Sequence, residues 1–190
     1  MKTNFLKSGL LLVLAITFAS FTVLKEKQVK VKESTITWKG KKITGSHEGT
    51  INLSEGILEF TDGKLTGGNF TIDMTTIVVT DLESGSGKEK LEGHLNSDEF
   101  FGTDVFKTAT FVIKDVKGQG EKYSVTGDLT IKGKTESKTF DMLVTDNSAN
   151  ASFEIDRTKF GIRYGSASFF NNLKDSAIND DFELNVNLKF

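Results

Sequence analysis

The 190-residue sequence contains no cysteine and no proline. Without cysteine, the chain must fold without disulfides and cannot be a bacterial lipoprotein. Without proline, it has no cis-proline turn and no proline-rich linker. Tryptophan and tyrosine are also scarce, since 16 phenylalanines stand against one tryptophan and two tyrosines. Phenylalanine has no polar atom, so this bias predicts a dry and unusually aromatic interior.

The first twenty residues have the pattern of a secretory signal. Lys2 and Lys7 precede a short apolar run over residues 9–19, and Thr17 and Ala19 are small residues at positions −3 and −1 of a cleavage after Ala19. The run is shorter than the ~20 residues of a membrane span, and no stop-transfer segment follows. We therefore expect cleavage near Ala19, a periplasmic or secreted location, and no integral membrane span after signal removal. An uncleaved anchor is the alternative.

The predicted mature chain is mildly acidic and has the length of one domain. Residues 1–20 carry two lysines and no acid, so their removal leaves 22 basic and 26 acidic residues and a net charge of −4. The lysines are scattered rather than clustered, so nucleic acid is not an expected partner. We expect a charged lead-in over residues 21–33 and a domain over 34–190.

Alternation of apolar and polar residues predicts antiparallel strands along the chain. It is strict over residues 123–131 and restarts at 140–144 after a polar break at 133–137, which predicts a β-hairpin with a three- to five-residue turn. Similar segments lie near residues 35–39, 47–53, 58–60, 65–76 with a bend at 67–68, 110–116, 151–162 with a bulge or bend near 156–159, and 181–190. Eight or nine such strands fit a closed up-and-down barrel or a sandwich.

The regular rhythm of strands is interrupted between residues 77 and 107. Leucines and charged residues at spacings of three and four predict a short helix over residues 87–95. The two phenylalanines at 100 and 101 could attach this connection to the core. A connection of this length is either a lid or a packed flap over one barrel end.

The sequence carries no recognisable catalytic or metal-binding motif. The GSAS stretch at 165–168 lacks the second glycine of a nucleophile elbow, and SGSGKE at 84–89 lacks the first glycine of a phosphate loop. His47 and His94 lie on different elements without the spacing of metal ligands, so we expect neither a metal nor a cofactor. Arg157, near the predicted bend, either pins a loop through a carboxylate or contacts a ligand headgroup.

Three motifs in register resemble the YceI-like lipid-binding family. They are HLNSDEFF (94–101), GDLTIKG (127–133) and IDRTKFGI (155–162), and HEGTI (47–51), FTIDMTTI (70–77) and RYGSASFF (163–170) fit the same resemblance. The similarity covers about residues 34–190. Asp98 and Lys107 stand where the family often has proline, which increases the freedom of the loop in the unfolded state.

The resemblance implies an all-β, eight-stranded antiparallel up-and-down barrel of extended lipocalin-like form. Its interior would hold a polyisoprenoid, an isoprenoid quinone or a similar lipid for storage or transport, without catalysis. The apolar positions expected to line the tunnel are Trp38, Ile51, Phe70, Ile72, Met74, Phe111, Ile113, Leu129, Ile131, Phe140, Phe153, Phe160 and Phe170. Candidate headgroup or rim residues are His47, His94, Arg157, Arg163 and Tyr164.

Three other interpretations of the sequence remain. A small outer-membrane barrel would also alternate, although its aromatic girdles favour tyrosine and tryptophan over phenylalanine. An enzyme could act on a lipid held in the tunnel, or the phenylalanines could fill the barrel of a pure interaction module. Exposed strand edges or the long connection could support a homodimer.

Overall fold

The computed structural model describes residues 22–190, so the predicted signal segment lies outside the described residues. The strands are β1 (Leu24–Gln28), β2 (Thr35–Lys42), β3 (Gly45–Thr61), β4 (Lys64–Val79), β5 (Thr108–Gln119), β6 (Lys122–Ile131), β7 (Lys134–Val144), β8 (Ser148–Asp156) and β9 (Ile178–Lys189). One α-helix, α1 (Lys88–Asn96), and three short 3-10 turns (Val31–Glu33, Arg157–Phe160 and Lys174–Ser176) complete the described elements.

Strands β2 to β9 form a closed antiparallel barrel. Each strand pairs with the next one along the chain, and β9 returns to β2, where Val186 lies opposite Ile36. The additional strand β1 pairs with the second half of β3, with Leu24 opposite Thr61. The predicted eight-stranded up-and-down barrel is therefore confirmed, with one extra strand at its edge.

The alternating pattern places apolar side chains inside the barrel and polar ones outside. On β6, Val125 and Leu129 are buried, whereas the intervening Thr126 faces outward and shares a 2.8 Å hydrogen bond with Thr139 of β7. The outer-membrane alternative requires the opposite arrangement, with the apolar band on the outer face. Over residues 22–190, the apolar face of the sheet points inward.

The hairpin formed by β6 and β7 has a shorter turn than the sequence predicts. Lys132 and Gly133 form a two-residue loop with φ values of 49° and 71°, as in the type I′ turns that suit twisted hairpins. The predicted break at 133–137 is wrong beyond Gly133, because β7 begins at Lys134. Residues 134–137 are exposed on both faces at the end of the barrel, so no alternation marks them as a strand.

Two other strand predictions need correction. The segments predicted at 47–53 and 58–60 belong to one long strand, β3, whose register shifts around its middle. The strand predicted over 151–162 ends at Asp156, whose carboxylate accepts a hydrogen bond from the Thr158 backbone N–H at 2.9 Å and caps a 3-10 turn. A bend does follow Asp156, but Phe160 and the residues beyond it do not continue the strand.

The two long connections lie at the same end of the barrel, because successive strands alternate in direction. One is residues 80–107, which we call the cover segment and which contains α1 as predicted. The other is residues 157–177, which follows β8. The end of the barrel that carries both connections is called the covered end below. The site is built under it.

Candidate functional site

An apolar cavity of about 170 Å³ lies inside the barrel beneath the cover segment. Its wall combines strand residues with Leu95, Phe100 and Phe101 of the cover segment. Lys138, Arg157 and Asn179 are also among the lining residues, but the surface that faces the cavity is almost entirely apolar. An engineered cavity of about 150 Å³ that is lined by aliphatic and aromatic groups stays dry and binds benzene or xenon. The chemistry available in the cavity is therefore the burial of an apolar group.

Ten of the thirteen predicted lining residues border the cavity. They are Trp38, Ile51, Phe70, Ile72, Met74, Phe111, Leu129, Ile131, Phe140 and Phe153. Ile113 is buried outside the cavity wall near Gly68, and Phe160 is buried in the 3-10 turn after β8. Phe170 is 50% exposed, so the prediction that it faces the interior is wrong. It lies in the irregular 157–177 connection, where no strand alternation determines the direction of its side chain.

Two kinds of lining residue were not predicted from the sequence. Phe182, Leu184 and Val186 of β9 line the cavity, and the clear alternation of that strand was a sufficient signal for them. Leu95 and Lys138 also line it. Their signal was weak, because the first lies in an isolated helix and the second interrupts an apolar pattern.

The cover segment is attached to the barrel by aromatic packing and by one lysine. The rings of Phe100 and Phe101 lie 5.1 Å apart between centroids, and Phe101 meets Phe182 of β9 at 6.4 Å. The Lys132 ammonium, in the β6–β7 turn, donates hydrogen bonds to the backbone oxygens of Asp98 at 2.5 Å and Phe100 at 2.9 Å. These contacts hold the two phenylalanines over the cavity.

Neither histidine borders the cavity, and the two have separate partners. His47 Nδ1 lies 2.9 Å from Asp81 Oδ2. Burial acts to raise the pKa of Asp81, but the hydrogen bonds from His47 and from the Glu48 backbone outweigh it, and the pKa is lowered. His94 packs against Tyr164 at 4.3 Å and leaves its buried Nε2 without a hydrogen-bond partner. Within residues 22–190, no group of three or more possible metal ligands is present.

The buried side chain of Arg157 links the two ends of the 157–177 connection by hydrogen bonds. It is 1% exposed, and its Nε and one terminal nitrogen donate to the backbone oxygens of Asn179 and Ile178, each at 3.0 Å. The other terminal nitrogen donates to the Ile162 oxygen at 2.9 Å. Desolvation lowers the pKa of Arg157, and nearby acidic groups partly oppose this effect. The geometry corresponds to the loop-pinning alternative.

Asp180 supports Arg157 from the start of β9. Its Oδ1 lies 3.5 Å from an Arg157 terminal nitrogen, and its Oδ2 accepts a hydrogen bond from Ser168. Burial acts to raise the pKa of Asp180, but hydrogen bonds from Ser166 and Ser168 and the charge of Arg157 outweigh it, so the pKa is lowered. The carboxylate is therefore stabilised in its charged form.

The remaining rim candidates lie on the surface of the 157–177 connection. Arg163 is exposed and places its guanidinium 4.5 Å from the centre of the Phe169 ring. Tyr164 is 44% exposed and covers His94. Neither borders the cavity.

Comparison with known families identifies this cavity-bearing barrel. The sequence pattern of the YceI-like domain matches residues 28–190. The chain belongs to the YceI-like family. Among the described residues of this YceI-like protein, no helix has the length and apolar character needed to span a membrane.

Curated relatives of this YceI-like protein include two staphylococcal proteins. A UPF0312 protein of Staphylococcus aureus (strain USA300) is 34% identical over 110 residues, which are 52% of this chain and 62% of the relative. A UPF0312 protein of Staphylococcus epidermidis is 34% identical over 103 residues, which are 48% of this chain and 57% of the relative. The chain thus matches about three fifths of the length of these relatives.

Solved structures share the barrel at low sequence identity. BcnA of Burkholderia cenocepacia has a TM-score of 0.69 and 24% identity, with 85% of this chain and 99% of that chain covered. A polyisoprenoid-binding domain of Saccharophagus degradans, implicated in plant cell wall breakdown, has a TM-score of 0.62 and 13% identity, with coverages of 88% and 98%. At these identities, the similarity establishes the fold.

Proposed function

We propose that this YceI-like protein is a periplasmic or secreted binding protein that holds a long apolar amphiphile, of polyisoprenoid or isoprenoid-quinone type, for storage or transport. The observation that carries the proposal is the apolar cavity inside the barrel, closed at one end by the cover segment. Family membership and the fold shared with a polyisoprenoid-binding domain support a lipid-binding barrel. The signal-like first twenty residues support the location.

The energetics of burial are sufficient without any catalytic group. Each buried CH₂ contributes ~0.8 kcal/mol, so one five-carbon isoprene unit contributes about 3–4 kcal/mol as an upper bound. A few units then reach micromolar affinity, about −8 kcal/mol, after the costs of association. Selectivity would depend on the width and length of the cavity.

The size of the cavity determines how a long chain can enter. At about 170 Å³ it accommodates only a short part of a polyisoprenoid. A longer chain requires the wall to widen, and the flexible side chains of Met74 and Met142, together with the cover segment, are the parts that can adapt. We therefore expect ligand binding to be accompanied by movement of the cover segment.

The test is to measure whether lipid accompanies the purified protein and whether the cavity is where it binds. Native mass spectrometry, followed by solvent extraction, should show a defined isoprenoid on the wild-type protein. The Ile131→Trp variant, which fills the cavity wall, should lose it, whereas Val112→Trp, on the outer face of β5, should retain it. Both variants should unfold cooperatively.

Two results would contradict the proposal. One is a wild-type protein that carries no lipid and takes up no added isoprenoid. The other is an Ile131→Trp protein that retains the ligand as well as the Val112→Trp control does. Cell fractionation tests the location separately, since the proposed protein should appear in the periplasm or the medium.

A further inference from the structure

The hydrogen-bonded ladder of the barrel is interrupted between β7 and β8. The ladder between these strands runs from Val144 opposite Ala149 to Met142 opposite Ala151 and ends there. Both strands continue toward the covered end, β7 to Lys134 and β8 to Asp156, but they do not pair with each other there. By contrast, the β6–β7 ladder extends over the full length of β6.

This unpaired stretch, which we call the window, is bounded on both sides and is therefore not a loose strand end. The β7–β8 ladder bounds it on the side away from the covered end, and the 3-10 turn Arg157–Phe160, which contacts β7, bounds it at the covered end. The rings of Phe140 and Phe153 stack across the lower part of the window, 4.1 Å apart between centroids and 8° from parallel. Both rings also line the cavity. The two stacked rings therefore separate the lower part of the window from the cavity.

Lys138 lies two residues before Phe140 on β7, on the side of the rings nearer the covered end. It shares the inward face of β7 with Phe140 and lines the cavity, and continuation of the β7–β8 register would place it opposite Ile155. Within residues 22–190, Lys138 has no carboxylate within ion-pair distance, although Glu136 is on the same face two residues away. The other cation on the wall, Arg157, is committed to three backbone oxygens.

We propose that the window between β7 and β8 is the headgroup site and that Lys138 selects amphiphiles with an anionic headgroup, a carboxylate or a phosphate. This inference rests on the proposed function, because it needs a chain in the cavity. An ammonium beside an apolar wall is partly desolvated, so an anion paired with it gains more than in water. A neutral alcohol gains no comparable charge interaction. The chain lies under the stacked rings, and the headgroup remains at the window.

The experiment compares three ligands with one farnesyl chain and different headgroups: farnesyl phosphate, farnesoic acid and farnesol. Trp38 is the only tryptophan of the chain and lines the cavity, so its fluorescence reports occupancy. The variant Lys138→Met removes the charge and keeps the length, and Lys138→Arg restores a cation. The control Lys114→Met removes an outward lysine that lies 3.5 Å from Asp128.

The wild-type protein should bind the phosphate and the acid at least about tenfold more tightly than the alcohol, the factor expected for one charge-assisted hydrogen bond. Lys138→Met should abolish this preference by weakening the binding of the phosphate and the acid to the level of farnesol. Lys138→Arg and Lys114→Met should preserve it, and added salt should weaken it. The phosphate and acid titrations, compared with each other, identify which anion the window prefers.

The possible failures are distinguishable. If all three ligands bind the wild type equally, or if Lys138→Met keeps the preference, the headgroup site is refuted and the binding function stands. If none of the three ligands changes Trp38 fluorescence or appears in native mass spectra, the proposed function itself is refuted.

Discussion

Replacement of Arg157 by methionine separates a structural role from a ligand-binding role. The substitution retains an unbranched apolar side chain beside Phe100, whose ring centre lies 5.6 Å from the guanidinium carbon. It removes the donors to the oxygens of Ile162, Ile178 and Asn179. Three backbone acceptors then lose their donor in a site that is 1% exposed at Arg157.

The magnitude follows from the number and type of these hydrogen bonds. A hydrogen bond to a charged group contributes about 1.5–3 kcal/mol, but bonds to one group do not add fully. Breaking a buried charged pair by removing one partner costs about 3–5 kcal/mol, which is the loss we expect for Arg157→Met. With a urea dependence of about 2 kcal/mol per molar, the unfolding midpoint falls by about 1.5–2.5 M.

The assay is urea unfolding followed by Trp38 fluorescence and by circular dichroism. Arg157→Lys, which keeps a charge but not the planar fork of donors, should lose part of the stability and serves as the matched control. Ligand binding, measured well below the midpoint, should be retained in both variants. If the Arg157→Met midpoint shifts by less than about 0.5 M while binding is lost, then Arg157 contacts the headgroup and the structural reasoning is refuted.

Three further predictions follow. A Cβ on Gly49 would lie 1.8 Å from a backbone oxygen and 2.6 Å from the Trp38 ring. Gly49→Ala should therefore lower the free energy of unfolding by about 1–3 kcal/mol and change the tryptophan emission, and an unchanged emission would contradict this packing. Folding lowers the pKa of Asp180, so the charged carboxylate contributes its full stabilisation above its ordinary pKa of 3.8 and loses it as the pH falls below that value. Asp180→Asn should therefore reduce the fall of the melting temperature at acidic pH, and an unchanged fall would contradict the assignment. Lys132→Met removes two hydrogen bonds to the cover segment and should speed amide exchange around Phe100 without affecting the barrel strands; uniform acceleration would indicate global destabilisation instead.

Most strands and most of the cavity lining could be predicted from local patterns, whereas the choice of a closed barrel over a sandwich came from the family resemblance. The alternation of Tyr123, Val125 and Leu129 identifies an inward face, and the same rule places Phe70 and Phe111 on that face. Alternation gave no signal where both faces of a strand are exposed to solvent, as in residues 134–137. It also failed after Asp156, because a capped 3-10 turn replaces the strand and carries Phe160 out of the alternation.

The amphipathic period and the turn residues of this sequence determine by themselves that the chain forms antiparallel strands with a phenylalanine-rich apolar face, because both act between residues that are close along the chain. The same pattern fits a closed barrel or a sandwich. Only the tertiary structure decided that Phe100 and Phe101 lie against the cavity and that Arg157 pins a loop by donating to backbone oxygens. It alone showed that the β7–β8 ladder ends before Lys138. These features depend on packing between segments distant in sequence, where the end of one ladder or the path of a long connection determines which side chains remain available to a ligand.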